Sequence, residues 1–330
     1  MSLLQRLLHL TNFSSPLLRT IVPSVGAAFA IQAAFAVPSI LAQSERFYDL
    51  SGALTNISVV ALSLYLPALR AKYGGSITSA VTNKSIPGLL TLLRNPSAAG
   101  LNWRQVALTA AVCIWAARLG SYLFQRVLQQ GHDSRFEEIK KSPPTFFGVW
   151  MVQATWCSLI CLPVIALNAV PASVFASSAA ALTLTDMLGI ALWIGGFSTE
   201  VLADRQKSQW LREKHEKKHE EDFMTRGLWQ RSRFPNYFGE STLWTGLATT
   251  AAGVLASKPA QAALGLKGGL GGVTGALALA YISPIFTTFL VTRVSGIPLS
   301  EKKYDKRYGD RKDYQEWKAN TPKFFPKLVL

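Results

Sequence analysis

Apolar runs broken by short polar segments fill most of the chain. Seven runs, at 18–42, 50–70, 104–129, 146–170, 181–203, 237–257 and 271–293, each reach the roughly 20 residues that a helix needs to cross a bilayer. The pattern predicts an all-α fold, a polytopic membrane helical bundle of about seven transmembrane helices. Pro23 and Pro38 fall in the first run and Pro163 in the fourth. Such breaks are tolerated where neighbouring helices satisfy the freed carbonyls. Gly74, Gly75, Pro87, Gly88, Asn95 and Pro96 mark a long irregular connection between the second and third runs. No internal repeat is visible. The chain divides into a lead-in (1–17), N-terminal membrane helices with their loop (18–103) and a larger membrane domain (104–330).

Composition agrees with that pattern. Of 330 residues, 49% are hydrophobic and 16% charged, against about 25% charged in soluble domains. Mean hydropathy is +0.21. These values exclude a disordered chain, a disulfide scaffold and an ordinary cytosolic domain. Cys113, Cys157 and Cys161 lie inside apolar runs and read as small buried hydrophobes.

The net charge of +15 sits mainly in loops between the runs. That distribution points to the lipid bilayer and its head groups as partner, with no nucleic acid. Residues 171–180 carry no Lys or Arg, 258–270 carry two, and 204–236 carry nine; the tail after the last run is equally basic. The last two runs therefore form a hairpin with both basic flanks in the cytosol. The 71–103 connection is also basic, and strict alternation would put it on the opposite side. Residues 1–44 contain Arg6 and Arg19 and no acid, which fits either a mitochondrial presequence or a short lead-in to a first membrane helix. The endoplasmic reticulum is the membrane expected, the mitochondrial membrane the alternative.

Two motifs have plain explanations. His215-Glu216-Lys217-Lys218-His219 matches H-E-x-x-H, the two-histidine zinc pattern. Its surroundings have almost no apolar face and two lysines beside the supposed metal, so it reads as a solvated, ion-paired helical extension with no metal. The glycine-rich run from Gly265 to Gly275 lacks the strand and spacing of a nucleotide loop and reads as small residues leading into a packed membrane helix.

A third feature carries more chemistry. Glu200, Asp204 and Lys207 are spaced i, i+4, i+7 on one face of a helix leaving the membrane. An acid as deep as Glu200 is costly and so points to function, although an interfacial pair of Asp204 with Lys207 or Arg205 would also use these letters. Before the sixth run, Arg226, Arg231 and Arg233 offer phosphate-clamping forks, and Asn236 and Glu240 offer polar contacts that a topology signal would not require. Arg135 is expected to pair with Asp133 or Glu138 instead.

The segment S-R-F-P-N-Y-F-G-E at 232–240 resembles the R-H-P-N-Y-x-G-E signature of the steroid 5-alpha-reductase-like membrane proteins, and specifically their uncharacterised branch. Related signatures occur in sterol C14 and C7 reductases and isoprenylcysteine methyltransferases. Glu200 to Trp210 resembles the upstream acid–Asp–Gln–Lys helix of that family. The tail resembles it at Arg293, Glu301 to Tyr304, Arg307 to Gly309, Tyr314 and Pro322 to Pro326; Arg118 to Tyr122 and Asp133 to Phe136 resemble the same branch. The likeness spans about 115–326.

The resemblance implies a bundle whose C-terminal half builds a cytosol-facing pocket for NADPH and which reduces a carbon–carbon double bond in a hydrophobic lipid. Carried over residue by residue, Glu200, Asp204 and Lys207 would serve the adenosine and phosphate end. Arg231, Arg233, Asn236, Tyr237 and Glu240 would line the pyrophosphate and nicotinamide end. Arg293, Glu301, Lys302 and Tyr308 would close the pocket from the tail. Phe234 departs from the pattern, standing where the family usually has His. Tyr122 and Tyr237 are the candidate proton donors. Two alternatives stay open: a non-catalytic lipid-binding relative, and a methyltransferase using S-adenosylmethionine on the same fold.

Overall fold

The computed structural model describes residues 2–73, 86–131, 133–175 and 182–327, and every regular element in them is helical. In chain order these are α1 (Leu3–Leu10), α2 (Pro16–Leu41), α3 (Tyr48–Tyr73), α4 (Leu89–Arg94), α5 (Trp103–Gln130), α6 (Pro143–Asn168) and α7 (Ala172–Phe175). Then follow α8 (Leu184–His215), α9 (Leu228–Arg231), α10 (Pro235–Leu255), α11 (Lys258–Leu264) and α12 (Gly269–Phe289). A π-helical turn (Leu290–Val294) continues α12 into α13 (Gly296–Tyr308), and α14 (Lys312–Asn320) ends the series. Starts are written locally: Ser2 with Gln5 and Asn102 with Gln105 form capping boxes, and prolines open α2 and α6.

Six helical segments are long and apolar enough to cross a membrane: α2, α3, α5, α6, α8 and the continuous α12–α13 segment. The chain is an all-helical, polytopic membrane protein. The seventh expected run is present as α10 but falls outside that set. Ser241, Thr242, Thr245, Thr249 and Thr250 dilute its apolar character, and Thr242, Thr245 and Thr249 turn their hydroxyls back to the carbonyl four residues earlier. Pro23, Pro38 and Pro163 lie inside continuous helices, as the membrane reading expects. Gly74 and Gly75, and residues 176–181 of the uncharged loop, lie outside the described residues. Pro87 to Pro96 belong to the stretch that carries α4 and a 3-10 turn (Pro96–Ala99) closed by Gly100 at φ +70°.

The chain forms two compact units, neither of them continuous: Met1–Thr183 with Ala251–Ile282, and Leu184–Thr250 with Ser283–Leu330. In the first unit α3 packs against α2, α5 and α6. Gly120 lies against Ala53, where an added Cβ would come within 2.4 Å of the alanine methyl. Buried polar side chains stitch these helices: Gln32 donates to Thr55 at 2.8 Å, and Asn168 donates to Ser63 at 2.9 Å and Thr109 at 3.2 Å. Arg135 pairs with Asp133 as expected, at 2.5 Å, with Asp49 at 3.9 Å.

Candidate functional site

The second unit begins with two helices in backbone contact. A Cβ on Gly196 would meet Leu243 N at 2.4 Å and Gly239 O at 2.6 Å, and one on Gly246 would meet Gly189 O at 2.5 Å. These four glycines, spaced by seven on each helix, let α8 and α10 touch main chain to main chain. The contact sets Glu200 beside the signature, since a Cβ on Gly239 would lie 2.6 Å from Glu200 N. Glu200 and Asp204 are both buried on α8.

One turn on, Lys207 enters an aromatic enclosure. Its Nζ lies 5.0 Å from the Trp210 ring, 4.8 Å from Trp229 and 5.5 Å from Tyr304, and it donates to Tyr304 Oη at 3.1 Å. Among the described residues no carboxylate pairs with it, so the interfacial Asp204–Lys207 pair is not formed. The loop after α8 folds back to supply Trp229, whose Nε1 donates to Ala203 O at 3.0 Å, while Leu228 N donates to Gln206 Oε1 at 2.9 Å.

The tail closes the third side. Arg233 N donates to Pro322 O and Lys327 N to Arg231 O, each at 2.9 Å, so residues 231–233 and 322–327 run together. Ser232 Oγ donates to Phe324 O at 3.0 Å. Arg233 is buried, with Nη1 on Glu301 Oε1 at 2.5 Å and Nε on Thr321 O at 3.1 Å; Glu301 also receives Lys323 at 2.7 Å. Behind them Phe223, Tyr308, Tyr314 and Trp317 form an aromatic cluster. Burial, then the hydrogen bond to Asp305, pushes the Tyr314 hydroxyl above its ordinary range.

Between these walls lies a cleft of about 350 Å³, its mouth included, lined by Lys207, Trp229, Arg233, Phe234, Glu301, Tyr304, Tyr314 and Trp317 with Phe223 and Met224. Of the expected residues, Lys207, Arg233 and Glu301 meet at this cleft. Tyr237 stacks on Phe234 with centroids 6.0 Å apart, and Asn236 keeps a buried Oδ1 that has no partner among the described residues. Arg231 and Glu240 are half-buried beside the same segment. The structure does not bring in the others. Arg293 and Lys302 are exposed, Tyr308 is packed in the aromatic cluster, and Tyr122 belongs to the first unit, beneath Arg118. The sequence reading missed Trp210, Trp229 and Tyr304; only Trp210, at i+3 from Lys207, carried a local signal.

The H-E-x-x-H segment is not one helix. α8 ends at His215, and Lys217 at φ +56° turns the chain back, so the expected helical extension stops there. His219 folds over Trp210, with centroids 5.1 Å apart and Nε2 at 3.0 Å from Trp210 O. The glycine-rich run holds a helix end and a start: Gly265 closes α11 at φ +71° and Gly269 opens α12 at φ +66°.

Fold and site together define a polytopic helical membrane protein with a basic, aromatic-walled cleft beside its membrane helices. The chain belongs to the DUF1295 family, a family of proteins of unknown function, whose model matches residues 79–266 and 269–321. No curated protein and no solved structure matches the chain.

Proposed function

We propose that the protein is a membrane oxidoreductase of the steroid 5-alpha-reductase-like kind, reducing a carbon–carbon double bond in a lipid at the expense of NADPH. Its home on this reading is the endoplasmic reticulum membrane. The observation that carries the proposal is a polar mismatch in one unit: among the described residues Asn236 Oδ1 is buried without a partner, and Lys207 is held by the Tyr304 hydroxyl and aromatic rings with no carboxylate beside it. Native structures rarely leave such groups unmatched unless a ligand uses them. A dinucleotide fits this donor set: Lys207 and Arg231 suit phosphate oxygens, and the Asn236 carbonyl suits an amide N–H. Arg233 is not available for phosphate, because Glu301 already neutralises it.

When bound, NADPH supplies the hydride equivalent. The chain must hold the acceptor dry and deliver a proton to the second carbon. Tyr237, stacked on Phe234, is the hydroxyl of this unit assigned that role, with Tyr122 as the second candidate. The phenol gives up its proton as the carbon–hydrogen bond forms and is refilled from water.

Calorimetry of NADPH with the detergent-solubilised protein tests the site. Lys207→Met should weaken binding about 10–150-fold, the worth of a charge-assisted contact of about 1.5–3 kcal/mol. Asn236→Ala should weaken it about 2–10-fold, whereas Arg135→Ala, whose side chain is spent on Asp133, should not change it. Equal affinity in all four proteins would remove the reading.

A further inference from the structure

The helix that closes the cleft has a second face that the cleft does not use. On α13, Ile297, Glu301, Tyr304 and Tyr308 recur at i, i+4, i+7 and i+11 and face inward. Ile297 and Tyr308 are buried, Glu301 holds Arg233, and the Tyr304 hydroxyl accepts from Lys207. Leu299, Lys302, Lys303, Lys306 and Arg307 fill the opposite side, and each of them is exposed.

These cations lack acidic partners. The acids of the same helix are spent elsewhere: Glu301 on Arg233 and Lys323, and Asp305 on Lys318 at 2.6 Å and the Tyr314 hydroxyl at 2.8 Å. Among the described residues no carboxylate pairs with Lys302, Lys303, Lys306 or Arg307, and Arg307 rests on the Tyr308 ring. Lys302 with Lys306, and Lys303 with Arg307, are spaced i, i+4, so like charges repel along the face until a counter-charge relieves them.

Two observations set this face at the membrane surface. Tyr304 bonds Lys207, one turn past Ala203, where the apolar run of α8 gives way to Asp204 and Arg205. From the other direction, the 21 residues of α12 and the five of its π-helical turn span about 39 Å, more than the ~30 Å hydrocarbon core, so the chain reaches the headgroup layer by Val294. There the helix kinks. Ser295 leaves helical geometry at φ −122° and ψ −132°, and Gly296 sits at φ +28°, where a Cβ would meet the Tyr237 ring at 2.9 Å. Leu299, 50% exposed, follows the kink, and the cations begin one turn later. That order suits an acyl boundary topped by phosphates and carboxylates, with lysine stems reaching up from it.

We infer that the outer face of α13 binds the anionic headgroups of glycerophospholipids, and that the bound lipid braces the cleft wall carried on the inner face of the same helix. Charge complementarity and continuity with the last membrane helix select this partner. No nucleotide enters the argument, so the inference stands independently of the reductase reading.

The test is acetylation of individual lysines, read by mass spectrometry, on the whole chain in nanodiscs of phosphatidylcholine alone or mixed with phosphatidylserine. A lysine held at an anionic surface should react about fivefold more slowly. That slowing is expected at Lys302, Lys303 and Lys306 in the mixed nanodiscs. It is not expected at Lys217, which follows the end of α8 about 18 Å past the apolar run, beyond the ~8 Å reach of surface charge. Lys302→Gln with Lys306→Gln, both at exposed positions, should reduce the slowing at Lys303 by about half, because the neighbours that capture the lipid are gone. Amide hydrogen exchange across 301–308 should slow in the mixed nanodiscs as well. Equal acetylation in the two nanodiscs would overturn the inference, as would slowing at Lys303 that ignores the double variant, the mark of a diffuse surface potential. Slowing produced equally by soluble inositol hexakisphosphate in phosphatidylcholine nanodiscs would overturn the choice of lipid and assign the face to a free polyanion. Unchanged exchange across 301–308 beside slowed acetylation would overturn the bracing of the cleft.

Discussion

At the scale of single residues, Arg233 shows how a correctly noticed side chain takes an unexpected job. Its position in an arginine-rich signature suggested a phosphate clamp, but it is 8% exposed and paired with Glu301, which is 15% exposed. Removing Arg233 leaves Glu301 to Lys323 and strips the Thr321 carbonyl of its donor. Arg233→Ala should therefore destabilise the unit by about 1–3 kcal/mol, while Arg233→Met with Glu301→Leu should restore most of that loss, both read from denaturant unfolding. Phe234 could be read only as a departure, and the structure gives it neighbours: the Tyr237 ring and the Ser232 hydroxyl, which accepts from Phe234 N at 3.2 Å. Phe234→His should fold; unchanged NADPH affinity in calorimetry would mean that the ring merely packs, whereas strengthened binding or newly exposed activity would mean that the chain has drifted from catalysis. The two histidines divide as well. His215→Ala should alter stability by no more than about 0.5 kcal/mol, whereas His219→Ala, which loses a ring stack and a hydrogen bond, should cost about 1 kcal/mol.

At the scale of elements, the apolar runs located the long helices closely, the expected 146–170 appearing as 143–168 and 271–293 as 269–289. Hydrophobic length is a local property, so it survives in the sequence. The run at 181–203 extends to His215 because the helix outlasts its apolar stretch, and a charged helical end gives no hydropathy signal. What joins α8 to α10 was harder to see, because glycines 189, 196, 239 and 246 acquire meaning only when two helices are laid together. Gly196→Ala should lower the melting temperature, since its Cβ would press on backbone and force overpacking worth about 1–3 kcal/mol. Gly195→Ala on the same helix, with nothing within 4 Å, should be neutral or slightly stabilising. The loop joining α5 to α6 responds to acid. Burial alone would raise the Glu45 carboxyl, but the Asp133 N–H at 2.9 Å and Lys140 at 3.0 Å hold it below its ordinary value. A depressed carboxylate stabilises the fold above its unfolded pKa, near 4.3, and that contribution is lost as pH falls through the folded value. The protection of the Asp133 amide against hydrogen exchange, taken relative to its intrinsic rate at each pH, should accordingly fall below about pH 4, and Glu45→Gln should lower it already at pH 7.

At the scale of the whole chain, the charge pattern placed residues 204–236 and the tail on one side of the membrane, and the backbone hydrogen bonds between 231–233 and 322–327 require it for those segments. The basic character of both predicts that this side is the cytosol. Protease added to sealed microsomes should cut at Lys217–Lys218 and after Lys302 alike; protection of only one would contradict the fold. The pairing of Arg233 with Glu301 was illegible beforehand, although both residues had been singled out, because no local rule links positions 68 apart in the chain. The same tail contact decides when the cleft is fastened during synthesis. A ribosome that has released the signature segment must still make the last transmembrane helix, α13 and α14 before Thr321, 88 residues beyond Arg233, can meet it. Insertion into the membrane is then finished before the site is. A premature stop just after Asn320 would leave every membrane helix and every residue of the cleft wall in place and remove only the segment 321–327 that ties down residues 231–233: a late nonsense mutation would act on this protein by unfastening its cleft rather than by removing a membrane helix.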